Sequence, residues 1–151
     1  MGLRELRRQR GVGHATNARI RKHLYPEPRT ALGQWLAKHG LASAMMDLSD
    51  GLSSDLPRLC SESGVGARLE VASLPRISRI DRADGLKLAL NGGDDYELLF
   101  AVHPKHATKI GPKFQGLRLT RIGEITREKK ILVEVDGKSR PLAADGWDPF
   151  R

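Results

Sequence analysis

Residues 43–64 read Ser43-Ala44-Met45-Met46-Asp47-Leu48-Ser49-Asp50-Gly51-Leu52-Ser53-Ser54-Asp55-Leu56-Pro57-Arg58-Leu59-Cys60-Ser61-Glu62-Ser63-Gly64, and they change character twice. The stretch Ser43 to Leu48 is short and mostly apolar, as a buried strand is. Ser49-Asp50-Gly51 is a polar turn. Leu52, Leu56, Leu59 and Cys60 then recur at helical spacing, and Gly64 offers a stop. Pro57 conflicts with a helix interior, because proline lacks the N–H and its ring crowds the preceding turn. A regular helix starting near Asp55 relieves the conflict by placing Pro57 in the first turn.

Working outward from this strand–turn–helix unit, Thr30 caps an upstream helix carrying Leu32, Trp35, Leu36 and Leu41, with Gly40 as its end. Before it, Pro26 and Pro28 favour an extended connector. Downstream, Ala67 to Ala72 alternates like a half-buried strand, and Leu86, Leu88 and Leu90 mark a short helix. Asn91-Gly92-Gly93-Asp94-Asp95 leads into the strand Tyr96 to Val102. Pro104 to Lys113 is expected to be helical. Residues 117–125 and 130–135 are expected strands, the second closing at the Asp136-Gly137 hairpin turn. This mixed order implies an α+β fold, a mixed sheet with helices on one face, rather than a doubly wound parallel sheet.

The chain has 151 residues, 39% hydrophobic and 29% charged, the balance of one soluble domain. No run approaches the roughly 20 apolar residues that cross a bilayer, and the Arg-rich start lacks the apolar core of a secretory signal. Cys60 is the only cysteine, so no internal disulfide is available, and a cytoplasmic protein is expected. The net charge is +8, and eight basic residues against two acidic ones within residues 1–30 supply most of it. Residues 1–24 thus read as a basic leader of doubtful order, with the folded domain over 25–151. A basic arm suits polyanions, but no aromatic-interleaved basic face accompanies it, so nucleic-acid binding is not expected as the main role. Cys60 reads as a core thiol, Trp35 as core, and His103 with His106 lacks a third zinc ligand.

Two acidic, glycine-containing turns carry the chemistry. In the first, Asp47 and Asp50 bracket Ser49 where a strand meets a helix. Oxygen ligands of this kind suit Mg²⁺, which bridges carboxylates to phosphates, and a nearby helix N-terminus favours an anion. The competing reading is ordinary helix capping, since Ser and Asp are the usual N-cap residues. In the second, Gly92-Gly93 permit a sharp turn or a close backbone approach. Asp94 and Asp95 beside them can bind a metal or a substrate amine, or be solvated turn acids. Trp147 near the C-terminus is either a packing anchor or a flat aromatic surface.

Taken together and in order, Ala44 to Leu56 and Ala89 to Phe100 resemble thiamine-monophosphate kinases, a family within the aminoimidazole ribonucleotide synthetase-like superfamily. Pro26-Glu27-Pro28-Arg29 and Gly146-Trp147-Asp148-Pro149-Phe150 fit the same pattern, so the resemblance runs from about Tyr25 to the C-terminus. It implies ATP-dependent phosphorylation of thiamine monophosphate to thiamine diphosphate, assisted by Mg²⁺. By motif position it implies Asp47 and Asp50 as Mg²⁺ ligands and Ser49 as an ATP contact. It implies Asp94 and Trp147 against the thiamine substrate, where an aromatic face suits a cationic ring. Two departures matter. Asp94 stands where the family usually has glutamate, and the family's N-terminal domain has no counterpart in residues 1–24. The resemblance therefore implies a chain inactive without that domain, with the missing domain or a homodimer partner among its expected partners. Two other readings remain open: a non-catalytic binding module, and the C-terminal domain of another ATP-using synthetase of the superfamily.

Overall fold

A computed structural model describes residues 18–75 and 81–143. The basic leader does not stay irregular to its end. Ala18–Leu24 forms helix α1, and Ile20 within it is buried. After the connector, α2 (Thr30–Lys38) buries Leu32 and Leu36 four residues apart. Thr30 is its first helical residue rather than its cap, since the cap position belongs to Arg29 without a side-chain bond. Gly40 (φ +59°) closes the helix: its N–H bonds the Ala37 carbonyl while the Leu41 N–H reaches back to the Leu36 carbonyl.

Strand β1 (Ala42–Asp47) leads through the first acidic turn into α3 (Leu52–Glu62). The helix starts three residues earlier than proline avoidance suggests, and Pro57 lies in its interior. The first turn is secured without it: the Gly51 carbonyl accepts from both Ser54 and Asp55 N–H groups. Pro57 removes only the bond that the Ser53 carbonyl would have received. Gly64 (φ +65°) ends α3 in the same manner as Gly40, with Val65 N–H on the Cys60 carbonyl. Strand β2 (Gly66–Glu70) is followed by a 3₁₀ turn, Val71–Ser73, where alternation alone predicts more strand.

Helix α4 (Arg82–Asn91) is capped by the Asp81 side chain, which accepts from Ala83 N–H. Strand β3 (Leu98–Val102) starts later than expected, because Asp94 and Tyr96 have positive φ and cannot continue a pleated strand. The expected helix from Pro104 is a 3₁₀ turn over Pro104–Lys109. The expected strand 117–125 splits. Its start, β5 (Leu117–Arg118), pairs with β4 (Lys113–Phe114), and its end is β6 (Gly123–Thr126). Strands β7 (Ile131–Val135) and β8 (Lys138–Pro141) form the expected hairpin, with Asp136 and Gly137 both at positive φ.

The β strands form an antiparallel β1–β3 ribbon, the β4–β5 hairpin, and a mixed four-stranded sheet ordered β6-β2-β7-β8, with β2 and β7 parallel. The fold is α+β, as the order of elements implies. Two apolar clusters hold it. One joins Leu52, Leu56 and Cys60 of α3 to Ala67, Leu69, Leu74 and Val133 over the mixed sheet. The other joins Leu32, Leu36 and Leu41 to Trp35, Met45, Leu98, Phe100 and Phe114. Along β3, Leu98 and Phe100 face the second cluster and Leu99 the first, following the two-residue period of a strand. The ribbon thus lies between the two cores, and both acidic turns emerge from the same end of it. Cys60 and Trp35 are packing residues, as expected; the Trp35 ring tilts against Phe114 at 5.1 Å.

Candidate functional site

The β1–β3 ladder ends at Asp47 opposite Leu98, and the two turns continue the pairing beyond it. Leu48 N–H donates to the Glu97 carbonyl at 2.8 Å, Tyr96 N–H to the Leu48 carbonyl at 2.9 Å, and Asp94 N–H to the Ser49 carbonyl at 2.8 Å. Two sequence motifs about 40 residues apart are therefore a single backbone-paired double loop.

The glycines exist for this approach. A Cβ on Gly93 would stand 2.5 Å from the Ser49 carbonyl oxygen, and one on Gly51 would stand 2.9 Å from the Asn91 carbonyl carbon. Gly51 also has φ +101°, a torsion that side-chain-bearing residues rarely adopt.

Each loop has its own lock. In the first, Asp55 is fully buried, and its Oδ2 accepts the N–H groups of Ser49 and Asp50, each at 3.0 Å. Its other oxygen takes Arg58 at 3.0 Å, and Arg58 also grips the Asp50 carboxylate. Arg58 is accordingly held above its ordinary value, chiefly by the hydrogen bond to Asp50. This corrects the capping reading of the turn. Ser49 and Asp50 do not cap α3 with their side chains, since the cap residue is Gly51. Nor are their N–H groups free to receive an anion, because Asp55 has taken them.

In the second loop, Asp94 (φ +60°) and Tyr96 (φ +49°) both occupy the left-handed region. Asp94, Asp95 and Tyr96 are exposed, and Glu97 beneath them is partly buried. The Glu97 carboxylate accepts two bonds from Arg29, Nε at 2.8 Å and a terminal nitrogen at 3.0 Å, and one from Lys22 at 2.6 Å. Burial pushes the Glu97 carboxyl up, but the hydrogen bonds and charges of Arg29 and Lys22 outweigh it and hold it below the usual range.

Asp47, at the end of β1, is exposed; Ser49 and Asp50 are partly buried in the first loop; Asp94 is exposed in the second. The backbone pairing brings Ser49 and Asp94 side by side. Trp147 lies outside the described residues. Among the described residues no three His, Cys, Asp or Glu side chains converge as a metal cluster. Two shallow grooves of about 240 and 250 Å³ lie on the mixed sheet, and neither is lined by the double loop. Sequence reasoning missed Asp55, Arg58, Glu97, Arg29 and Lys22. Arg29 and Glu97 stand inside quoted motifs, yet their contact spans 68 residues and leaves no local pattern.

The AIR synthase related protein, C-terminal domain, matches residues 7–136, so the matched region begins upstream of Tyr25, where the motifs start. The chain is 37% identical to the thiamine-monophosphate kinases of Salmonella typhimurium and Escherichia coli K12, over 99% of its own length and 48% of theirs. The structure described as AaThiL complexed with AMPPCP and TMP superposes with a TM-score of 0.75 at 31% identity, covering 97% of this chain and 46% of that one. Thiamine-monophosphate kinase from Stenotrophomonas maltophilia K279a gives a TM-score of 0.77 at 32% identity, covering 92% and 46%. The chain spans about half the length of the curated relatives it matches.

Proposed function

Because the chain belongs to the family of AIR synthase related protein C-terminal domains, we propose that it serves as the C-terminal half of a thiamine-monophosphate kinase. In this reading it contributes part of the site for Mg²⁺, ATP and thiamine monophosphate, and the rest comes from an N-terminal domain or a second copy. The observation that carries the reading is the double loop: Asp94 N–H on the Ser49 carbonyl sets the residue proposed for the acceptor beside the one proposed for ATP.

The donor chemistry fits a hard divalent ion, since Asp47 offers an exposed carboxylate and Asp50 one already engaged by a cation. Asp47 and Asp50 would hold Mg²⁺, with Asp50 exchanging Arg58 for the ion. Bound there, the ion would neutralise phosphate charge in a transfer that depends on positioning and electrostatics. Asp55 keeps the first loop's amides pointing inward, so the Ser49 hydroxyl rather than its N–H is the group available to ATP. Asp94 would accept from or pair with the thiamine moiety, and Trp147 would cover its ring. Asp47 and the Asp94–Tyr96 tip are exposed rather than enclosed, which agrees with a half-site that another domain must close. Among the described residues no helix is long and apolar enough to cross a membrane, and a cytoplasmic location belongs to the same proposal.

The test is ADP release coupled to thiamine diphosphate formation, with Mg-ATP and thiamine monophosphate. The chain is assayed alone and mixed with the N-terminal half of the Salmonella typhimurium relative. Turnover is expected only in the mixture, and Asp47→Ala or Asp50→Ala should reduce it at least a hundredfold. A mixture that stays active with both aspartates replaced would sink the assignment of the metal site. Silence in both arms would sink the kinase reading itself.

A further inference from the structure

Asp94 and Tyr96 hold torsions, φ +60° and +49°, that residues with side chains adopt rarely. Such conformations persist only where their surroundings over-determine them. Backbone bonds to Leu48 and Ser49 restrain one flank of the turn. The residue that follows Tyr96 is Glu97, and its side chain is the most heavily tied acceptor of the loop. Arg29 meets it as a fork, with Nε on Oε2 and a terminal nitrogen on Oε1, and Lys22 meets Oε1 at 2.6 Å. The Arg29 side chain is 16% exposed and the Glu97 side chain 31%, so the fork is partly shielded from water. A forked guanidinium–carboxylate pair fixes orientation as well as adding energy. Lys22 belongs to α1 and Arg29 sits directly ahead of α2, so two neighbouring segments meet a carboxylate 68 and 75 residues further on.

We infer that Glu97 is a positioning residue: through the Arg29 fork and the Lys22 pair it locks the Asp94–Tyr96 turn in the conformation that presents the Asp94 carboxylate to substrate. The inference rests on the proposed role of Asp94. Glu97 bonds Arg29 and Lys22 rather than the Asp94 carboxylate, so it acts through the turn. The first loop is held by Asp55 instead, so the two locks can be released separately.

The experiment is residue-resolved amide hydrogen exchange on the full chain. Wild type, Glu97→Gln, Arg29→Gln and the double variant are compared, and affinities for thiamine monophosphate and for a Mg²⁺-bound non-hydrolysable ATP analogue are measured on the same proteins mixed with the N-terminal half of the Salmonella typhimurium relative. The Asp94 and Tyr96 amides are expected to exchange at least tenfold faster in either single variant, and no faster still in the double. The Ser49 and Asp50 amides should keep wild-type protection. Affinity for thiamine monophosphate should drop at least fivefold while that for the ATP analogue stays within twofold. Equal acceleration at Ser49 and Asp50 would reduce Glu97 to a general prop of the fold and overturn the inference. Unchanged protection at Asp94 and Tyr96 would overturn it too. The exchange readout needs no ligand, so a wild-type chain that exchanges as expected but ignores thiamine monophosphate even with the N-terminal half present would refute the substrate assignment and leave the lock standing.

Discussion

The two halves of the double loop solve one problem in opposite ways. The first loop is restrained by its own neighbourhood: Asp55, five and six residues on, reaches back to the amides of Asp50 and Ser49. The second is restrained from far away, by Arg29 and Lys22 at separations of 68 and 75 residues. A local lock forms as soon as its helix turn does, whereas a distant one forms only when α1, α2 and β3 have docked. The first loop should therefore be stiff whenever α3 is intact. The second should report on the assembly of the whole domain.

The sharpest way to break this contrast is Asp55→Ala. The change strips two backbone N–H groups of their acceptor and removes a fully buried carboxylate from Arg58. Removing one member of a buried, hydrogen-bonded set typically destabilises by about 3 kcal/mol. Arg58 keeps Asp50 as a partner and is half exposed, which holds the expected loss near the lower end. Urea unfolding should show it as a lowered midpoint with an unchanged slope. A loss below about 1 kcal/mol would mean that water replaces Asp55 at those amides and that the first loop is not locked locally.

The next effect is Gly93→Ala, which places a Cβ 2.5 Å from the Ser49 carbonyl oxygen. The loops must separate, at about 1–3 kcal/mol by analogy with other overpacked sites. Protection of the Asp94 amide should fall in the same variant. If stability falls and that protection does not, the strain is being relieved in α4 rather than between the loops.

How much of this was legible in the sequence follows from the same contrast. Helix stops at Gly40 and Gly64, the Asp136-Gly137 hairpin and the α+β order all come from short-range signals, and all are present. The start of α3 was misread because Pro57 is a local signal overruled by a neighbour, Gly51, whose carbonyl serves two donors. Asp47, Ser49, Asp50 and Asp94 stood out because acidic residues beside glycine are conspicuous. The residues that lock them did not, because Asp55 resembles an ordinary first-turn acid and Glu97 resembles an ordinary strand residue. Their meaning lies in burial and in contacts across the fold, which no spacing encodes.

A smaller effect, opposite in sign, is expected from Asp94→Gly. Glycine adopts φ near +60° without strain, so the relief of order 1 kcal/mol offsets the extra chain entropy of the unfolded state. Stability should stay level or rise slightly by thermal unfolding, while affinity for thiamine monophosphate drops at least tenfold. A clear loss of stability would instead make Asp94 a structural acid, held through its 3.4 Å contact with the Tyr96 hydroxyl.

The finest test separates the locks by pH. The Glu97 carboxyl titrates below its ordinary value of 4.5, because the bonds and charges of Arg29 and Lys22 outweigh the upward push of burial. A carboxyl depressed in the folded state stabilises above its unfolded value, and that contribution disappears as pH falls through the folded one. The window therefore opens just below 4.5 and extends downward. Asp95 and Glu27 are the other acids near this cluster: Asp95 shares its field, and Glu27 bonds Arg29 at 3.2 Å from an exposed position. Neither forks with Arg29, so Glu97→Gln should flatten the acid limb of stability in that window and change it little near neutrality. Raised salt should mimic part of the change, since Lys22 is half exposed and its charge is open to screening. An acid limb that persists unaltered in Glu97→Gln would mean the second loop draws its order from the Leu48 and Ser49 backbone bonds alone, and the two loops would then share a single lock.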